Sequence, residues 1–164
     1  MITRDDLIES MVHEIKVASF IAGKIPADQW DWRPSPKQRS VLELAQYLSR
    51  AGAGSLTTHV NGNRNHVDAM IEKANRVTPQ TFGDAMDSQA AEIRRVLDGV
   101  SHERLANDRV TLPWGGAPMS LAAAILNSSL KYLTAYRMQL FLYAKQMGHE
   151  ELGTAQAWAG RDPG

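Results

Sequence analysis

Cysteine is absent from the 164 residues, which excludes disulfides, a thiolate nucleophile and cysteine-ligated zinc. A charge imbalance is lacking too. Eighteen Lys and Arg offset eighteen Asp and Glu, so no overall field draws the chain to DNA, RNA or anionic lipid. Arg64 and Arg94-Arg95 have no flanking basic run and read as solvated surface. No stretch approaches the ~18 uninterrupted apolar residues of a membrane span. The opening Met1-Ile2-Thr3-Arg4-Asp5-Asp6 carries no signal-peptide apolar run. The expectation is a cytoplasmic protein with neither a membrane nor a nucleic-acid partner.

What is present is ordinary for a globular chain. Apolar residues make up 43% and charged residues 22%, enough for one domain that buries about 70% of its unfolded surface. Thr3-x-x-Asp6 reads as a capping box opening a helix over residues 4–23, with Leu7, Met11, Ile15, Ala18 and Ala22 at helical spacing. Pro26, Pro34 and Pro36 forbid its continuation and impose an extended connection through Trp30 and Trp32. Ser40-x-x-Glu43 opens a second helix along Val41, Leu44, Ala45, Leu48 and Ala51, whose later turns Gly52 and Gly54 should weaken. A short amphipathic piece, 67–74, bridges to a third main helix capped by Thr81-x-x-Asp84 and carrying Phe82, Met86, Ile93, Val96 and Leu97. Residues 99–119 are irregular, with a short strand expected over 110–112. Ser120 caps the longest helix, 121–147, and Gly148 supplies its stop. The pattern predicts an all-α four-helix bundle with long connections over residues 1–148, followed by a mobile tail at 149–164 in which Trp158 alone is a candidate to dock.

The last helix contains Tyr132-Leu133-Thr134-Ala135-Tyr136-Arg137-Met138-Gln139-Leu140. It resembles the last-helix signature of the DinB/YfiT-like family, His-x-x-x-His-Arg-x-Gln-Leu. The resemblance extends over about residues 1–147, through Ile25-Pro26, Trp30-Asp31-Trp32-Arg33-Pro34 and Arg39-Ser40-Val41-Leu42-Glu43-Leu44-Ala45-Gln46-Tyr47-Leu48. It implies a small helical bundle, commonly a homodimer, in which three histidines bind a divalent metal. Two imidazoles four residues apart share a helix face, and a third from another helix completes an open site that can activate water or a thiol.

In this chain the matched ligand positions are Tyr47, Tyr132 and Tyr136. A phenol titrates near pH ~10 and is a poor ligand for zinc or nickel at neutral pH, so no cofactor is expected. His13, His59, His66, His102 and His149 match none of the positions and are expected in surface or capping roles. The preferred reading of the three tyrosines is core packing, their hydroxyls satisfied by each other, Ser128, Gln139 or water. The alternative is a pocket in which convergent phenols hold a polar or anionic small molecule, with Ser128 and Gln139 beside them. The resemblance makes Arg137 a structural tie between helices, with Asp31 or Glu43 as its partner. Met138, Leu140 and Phe141 are the residues expected to serve a dimer contact. Trp114-Gly115-Gly116 has no Gly-Lys-Ser/Thr continuation and is a turn rather than a phosphate loop. Ser128-Ser129 lacks a nucleophile elbow. Two functions remain: a metal-free ligand-binding or structural module, or a transferase or hydrolase of the family's metal- or thiol-dependent kind using a different site.

Overall fold

The computed structural model describes residues 2–164. Four long helices carry the core: α1 (Arg4–Gly23), α2 (Val41–Asn61), α4 (Phe82–Asp98) and α7 (Lys131–Gln146). Between them lie α3 (Val67–Ala74), α5 (His102–Asn107), and a two-stranded antiparallel ribbon of β1 (Arg109–Val110) and β2 (Met119–Ser120). The expected strand thus includes Val110, but Leu112 lies outside it and is buried. The last helix is continuous yet uneven, since α6 (Leu121–Ala124) passes through a π-helical turn (Ile125–Leu130) into α7.

Three of the helix starts follow the capping logic of the sequence, Ser120 by accepting from the Ala123 N–H at 3.3 Å. Thr3 Oγ1 accepts from the Asp6 N–H at 3.1 Å while the Asp6 carboxylate accepts from the Thr3 N–H at 2.8 Å. Ser40 and Glu43 repeat the exchange at 3.2 and 2.8 Å. Thr81 does not, because its backbone is already α-like (φ −104°, ψ −2°) and its hydroxyl accepts from the Thr78 N–H instead. At the far end of α7, Gly148 (φ 97°) donates to Lys145 O and His149 N–H reaches back to Ala144 O. That pair of bonds is the Schellman stop, which needs a left-handed residue and so favours glycine.

α1 and α2 occupy opposite corners of the bundle, and each packs against both α4 and α7. Consecutive helices are therefore diagonal, joined by the Trp-rich connection. That connection is pinned by Trp30 Nε1 donating to Ile25 O, by Val41 and Leu42 N–H donating to Trp32 O and Trp30 O, and by edge-on contacts of Trp30 with Phe82 and Trp32 with Tyr143. Leu7, Met11, Ile15, Leu44, Leu48, Leu56, Phe82, Met86, Ile93 and Leu97 are all nearly inaccessible. Each such side chain contributes about 1.5–3 kcal/mol by leaving water.

Gly52 has the opposite effect to the one expected. α2 runs on unbroken to Asn61, and a Cβ on Gly52 would lie 2.7–3.0 Å from the Leu133 side chain. The glycine lets α2 and α7 approach closely. The buried amide of Gln89, from α4, reaches α2 at the same level. Its Oε1 accepts from the Gly52 and Ala53 N–H groups at 3.0 and 3.2 Å, and its Nε2 donates to Leu48 O at 3.0 Å.

The C-terminal segment is docked rather than mobile. Leu152, Gln156 and Ala157 are buried, and the π-helical turn Ala155–Ala159 lies on α1. His13 Nε2 bonds Trp158 O at 2.8 Å, and Lys24 pairs with Asp162 at 2.7 Å. Arg137 explains the docking. Fully buried, it donates to Glu14 of α1 at 2.6 Å, to Ala157 O, and lies 5.0 Å from the Trp158 ring. Its carboxylate partner is Glu14, not Asp31 or Glu43. Asp31 is exposed, and Glu43 pairs with Arg33 while capping α2. Leu140 is also inaccessible and cannot serve a surface contact. On α7 the exposed large apolar side chain is Leu142.

Candidate functional site

α2 and α7 run antiparallel. Tyr47 meets Tyr136, Gly52 faces Leu133, Ser55 bonds Ser129, and His59 bonds Ser128. This register brings the three tyrosines together. Tyr132 and Tyr136, one helical turn apart, have ring centroids 6.4 Å apart, and Tyr47 stands edge-on to Tyr136 at 4.7 Å.

The rings are half-buried, not part of the sealed core. Tyr136 packs against the core from its edge. Cations cover two of the rings: the Arg39 guanidinium lies 4.5 Å from the Tyr47 ring and 5.7 Å from Tyr136, and Arg50 lies 4.8 Å from Tyr47. Neither arginine, nor Arg64 nearby, makes an ion pair among the described residues. A cleft of about 180 Å³ opens beside the cluster, lined by Tyr47, Arg50, Ser55, His59, Arg64 and Tyr132. Trp114, from the loop between the strands, stacks edge-on against Tyr132 at 6.4 Å.

Burial and the neighbouring phenols raise the pKa of Tyr47 above the ordinary phenol value, outweighing the opposing pull of Arg50 and Arg39. Burial raises Tyr132 as well, with Tyr136 adding to it. Both hydroxyls are thus protonated at neutral pH, able to donate a hydrogen bond but poor donors of an electron pair to a divalent cation. Among the described residues no group of three or more His, Asp or Glu side chains is placed to hold a metal ion.

Ser128 and Gln139 are not joined to the tyrosines. Gln139 Nε2 donates to Tyr143 Oη at 2.7 Å. Ser128, inaccessible on the π-helical turn, donates to Ala124 O at 2.6 Å and sits 2.6 Å from His59 Nε2. With the serine proton committed to the carbonyl, His59 Nε2–H is the donor of that short contact. Burial lowers the His59 pKa, consistent with a neutral ring. Ser55 and Ser129 extend the network, Ser129 Oγ donating to Ser55 Oγ at 3.0 Å. The serine is turned away from nucleophilic use, since histidine donates to it rather than taking its proton. Sequence reasoning missed Arg39 and Arg50, and it weighed His59 only for a surface or capping role. The spacing 47, 50 places Arg50 on the face of Tyr47, whereas nothing in the sequence signals the π-helical turn that aims Ser128 at His59.

No protein-family model matches this chain, and neither does any curated protein. Among solved structures it is similar to a DinB-like protein, YjoA, from Bacillus subtilis, with 17% identity, coverage of 90% of this chain and 96% of that one, and a TM-score of 0.69. It is also similar to a protein assigned to the DinB family from Exiguobacterium sibiricum, at 20% identity, 93% and 96% coverage, and a TM-score of 0.65. The class is thereby defined: an all-α chain with the DinB-like fold over nearly its full length. Among the described residues no helix is long and apolar enough to cross a membrane.

Proposed function

We propose that this chain is a DinB-like protein that has lost the metal site of the fold class and binds a small anion in its place. The observation that carries this reading is the cluster of Tyr47, Tyr132 and Tyr136, faced by Arg39 and Arg50 without carboxylate partners. Protonated phenols and guanidinium groups can all donate, so the cluster has hydrogen bonds and positive charge to give. A half-buried arginine whose charge is balanced by no acid favours an anionic ligand. The cleft volume, about 180 Å³, lies below the ~300–1,000 Å³ of drug-sized pockets, which restricts the ligand to a small molecule such as a single-ring carboxylate. The role is binding, not acid–base or nucleophilic chemistry. The proposed assembly is a homodimer formed through α7, where Leu142 is exposed.

Native mass spectrometry of tag-free protein purified without added metal tests the reading, followed by titration with benzoate. The expected species is a dimer of bare 18.1 kDa chains that takes up one benzoate per chain, with uptake lost in Arg50→Met and weakened in Tyr47→Phe/Tyr132→Phe. A stoichiometric metal ion on the purified protein, or benzoate affinity unchanged in Arg50→Met, would overturn it.

A further inference from the structure

A cavity larger than the one at the tyrosines lies elsewhere in the molecule. It lies between α2, α3 and α4, about 670 Å³ in volume, floored by Ala53, Met70, Ala74, Val77 and Ala85. That is the size of a small-molecule pocket, and its apolar floor is what such pockets share. We propose that this cleft is a second ligand site, for an uncharged and largely apolar small molecule carrying a hydroxyl or N–H donor.

The polar groups of the cleft divide into two sets. Gln89 and Ser49 are spent on the protein: the amide on α2 backbone, the hydroxyl on Gln46 O at 2.8 Å. Thr57 Oγ1 and His66 Nδ1 are buried without any hydrogen-bond partner among the described residues, and both residues line the cleft. Thr57 is 7% exposed. Its neighbour Thr58 returns its hydroxyl to Gly54 O at 2.9 Å, whereas Thr57 has no such outlet. His66 Nε2 bonds Gly54 O at 3.0 Å. A carbonyl oxygen only accepts, so the ring proton sits on Nε2 and Nδ1 of the neutral imidazole presents a lone pair. Buried polar atoms are nearly always paired, and one left over in an apolar cleft marks a position where a ligand group belongs.

The specified ligand follows from that inventory. Nδ1 asks for a donor, and the Thr57 hydroxyl can give or accept. The floor carries no ionisable group. On the rim Arg76 is paired with Glu72 at 3.0 Å and Glu92 with Arg95 at 2.6 Å, leaving Arg50 and Lys73 against Asp84. The rim thus carries charges of both signs, Arg50 and Glu92 half-buried and Lys73, Arg76 and Asp84 exposed, so a net charge of either sign on the ligand meets repulsion as well as attraction.

Indole and benzofuran serve as probes, closely matched in shape except that the second has a ring oxygen in place of the N–H. In an amide-resolved NMR titration of the full chain, indole is expected to shift Ala53, Thr57, Met70 and Ala85 saturably at one per chain. Benzofuran should bind about tenfold more weakly, the loss of one buried hydrogen bond. Thr57→Val removes the unpaired hydroxyl at constant volume. It should leave the unfolding midpoint unchanged or raised while weakening indole about tenfold, and Ala85→Phe should fill the cleft and abolish binding. Absence of shifts at the cleft, equal affinity for the two probes, or Thr57→Val binding indole as the parent does would each sink the proposal.

Discussion

Replacing Gln89 with methionine keeps side-chain length and volume but removes the amide that bridges α4 to α2. Gly52 N–H and Leu48 C=O are an i, i−4 pair, so the Gln89 amide inserts into the hydrogen-bonding ladder of α2 at the level where Gly52 meets Leu133. Three bonds to backbone are lost: two from Oε1 and one from Nε2. At about 1 kcal/mol net for each neutral bond, less what the helix recovers by closing on itself, the cost is about 2–3 kcal/mol. For a domain of this size that lowers Tm by roughly 4–12 °C. Urea unfolding followed by tryptophan fluorescence measures the free energy, and hydrogen exchange localises it. Gly52 and Ala53 amides should lose more protection than Leu56 on the same helix. A Gln89→Met variant within 0.5 kcal/mol of the parent, with the exchange of Gly52 and Ala53 unaltered, would refute the bridging role (a shift below the usual scatter of surface substitutions).

Other substitutions probe the remaining joints. Gly52→Ala gains helix propensity but drives a methyl into Leu133, so a net loss of about 1–2 kcal/mol is expected in urea melts, relieved when Leu133→Ala is added; a stabilised single variant would contradict the close approach. Arg137→Met and Glu14→Ala should each cost about 3–5 kcal/mol by leaving a buried partner unpaired, with early proteolysis of the C-terminal segment because Ala157 O loses its donor; a tail equally resistant in Arg137→Met would mean that the docking stands on other contacts. His59 has a folded pKa below its unfolded value, so its stabilisation is complete above the unfolded pKa of about 6.5 and is lost as pH falls from there toward the folded pKa. His59→Gln should flatten that part of the stability–pH curve, and an imidazole titrating at or above the free value by NMR would reverse the sign. Finally, Tyr47→His/Tyr132→His/Tyr136→His should create tight zinc or nickel binding, read by calorimetry; a folded triple variant without metal affinity would show that these positions are not the metal positions of the fold class.

Local chemistry was legible from residue order alone. The proline-rich break after α1, the capping boxes at Thr3 and Ser40, the span of the first helix and the glycine stop at Gly148 depend on neighbours within a few positions, and they stand as the sequence dictates. The Tyr47, Tyr132 and Tyr136 grouping was legible too, through spacing on one helix and the resemblance of its surroundings. What tertiary structure alone decided concerns partners far apart in the chain. It chose Glu14 over Asp31 and Glu43 for Arg137, because the guanidinium points across α1 toward the returning C-terminus. It set α1 and α2 at opposite corners, left the tyrosine rings half-open beneath Arg39 and Arg50, and turned Gly52 from a weak point into a contact. Each outcome is fixed by packing between helices separated by tens of residues, where burial and pairing override the local preferences that a sequence displays.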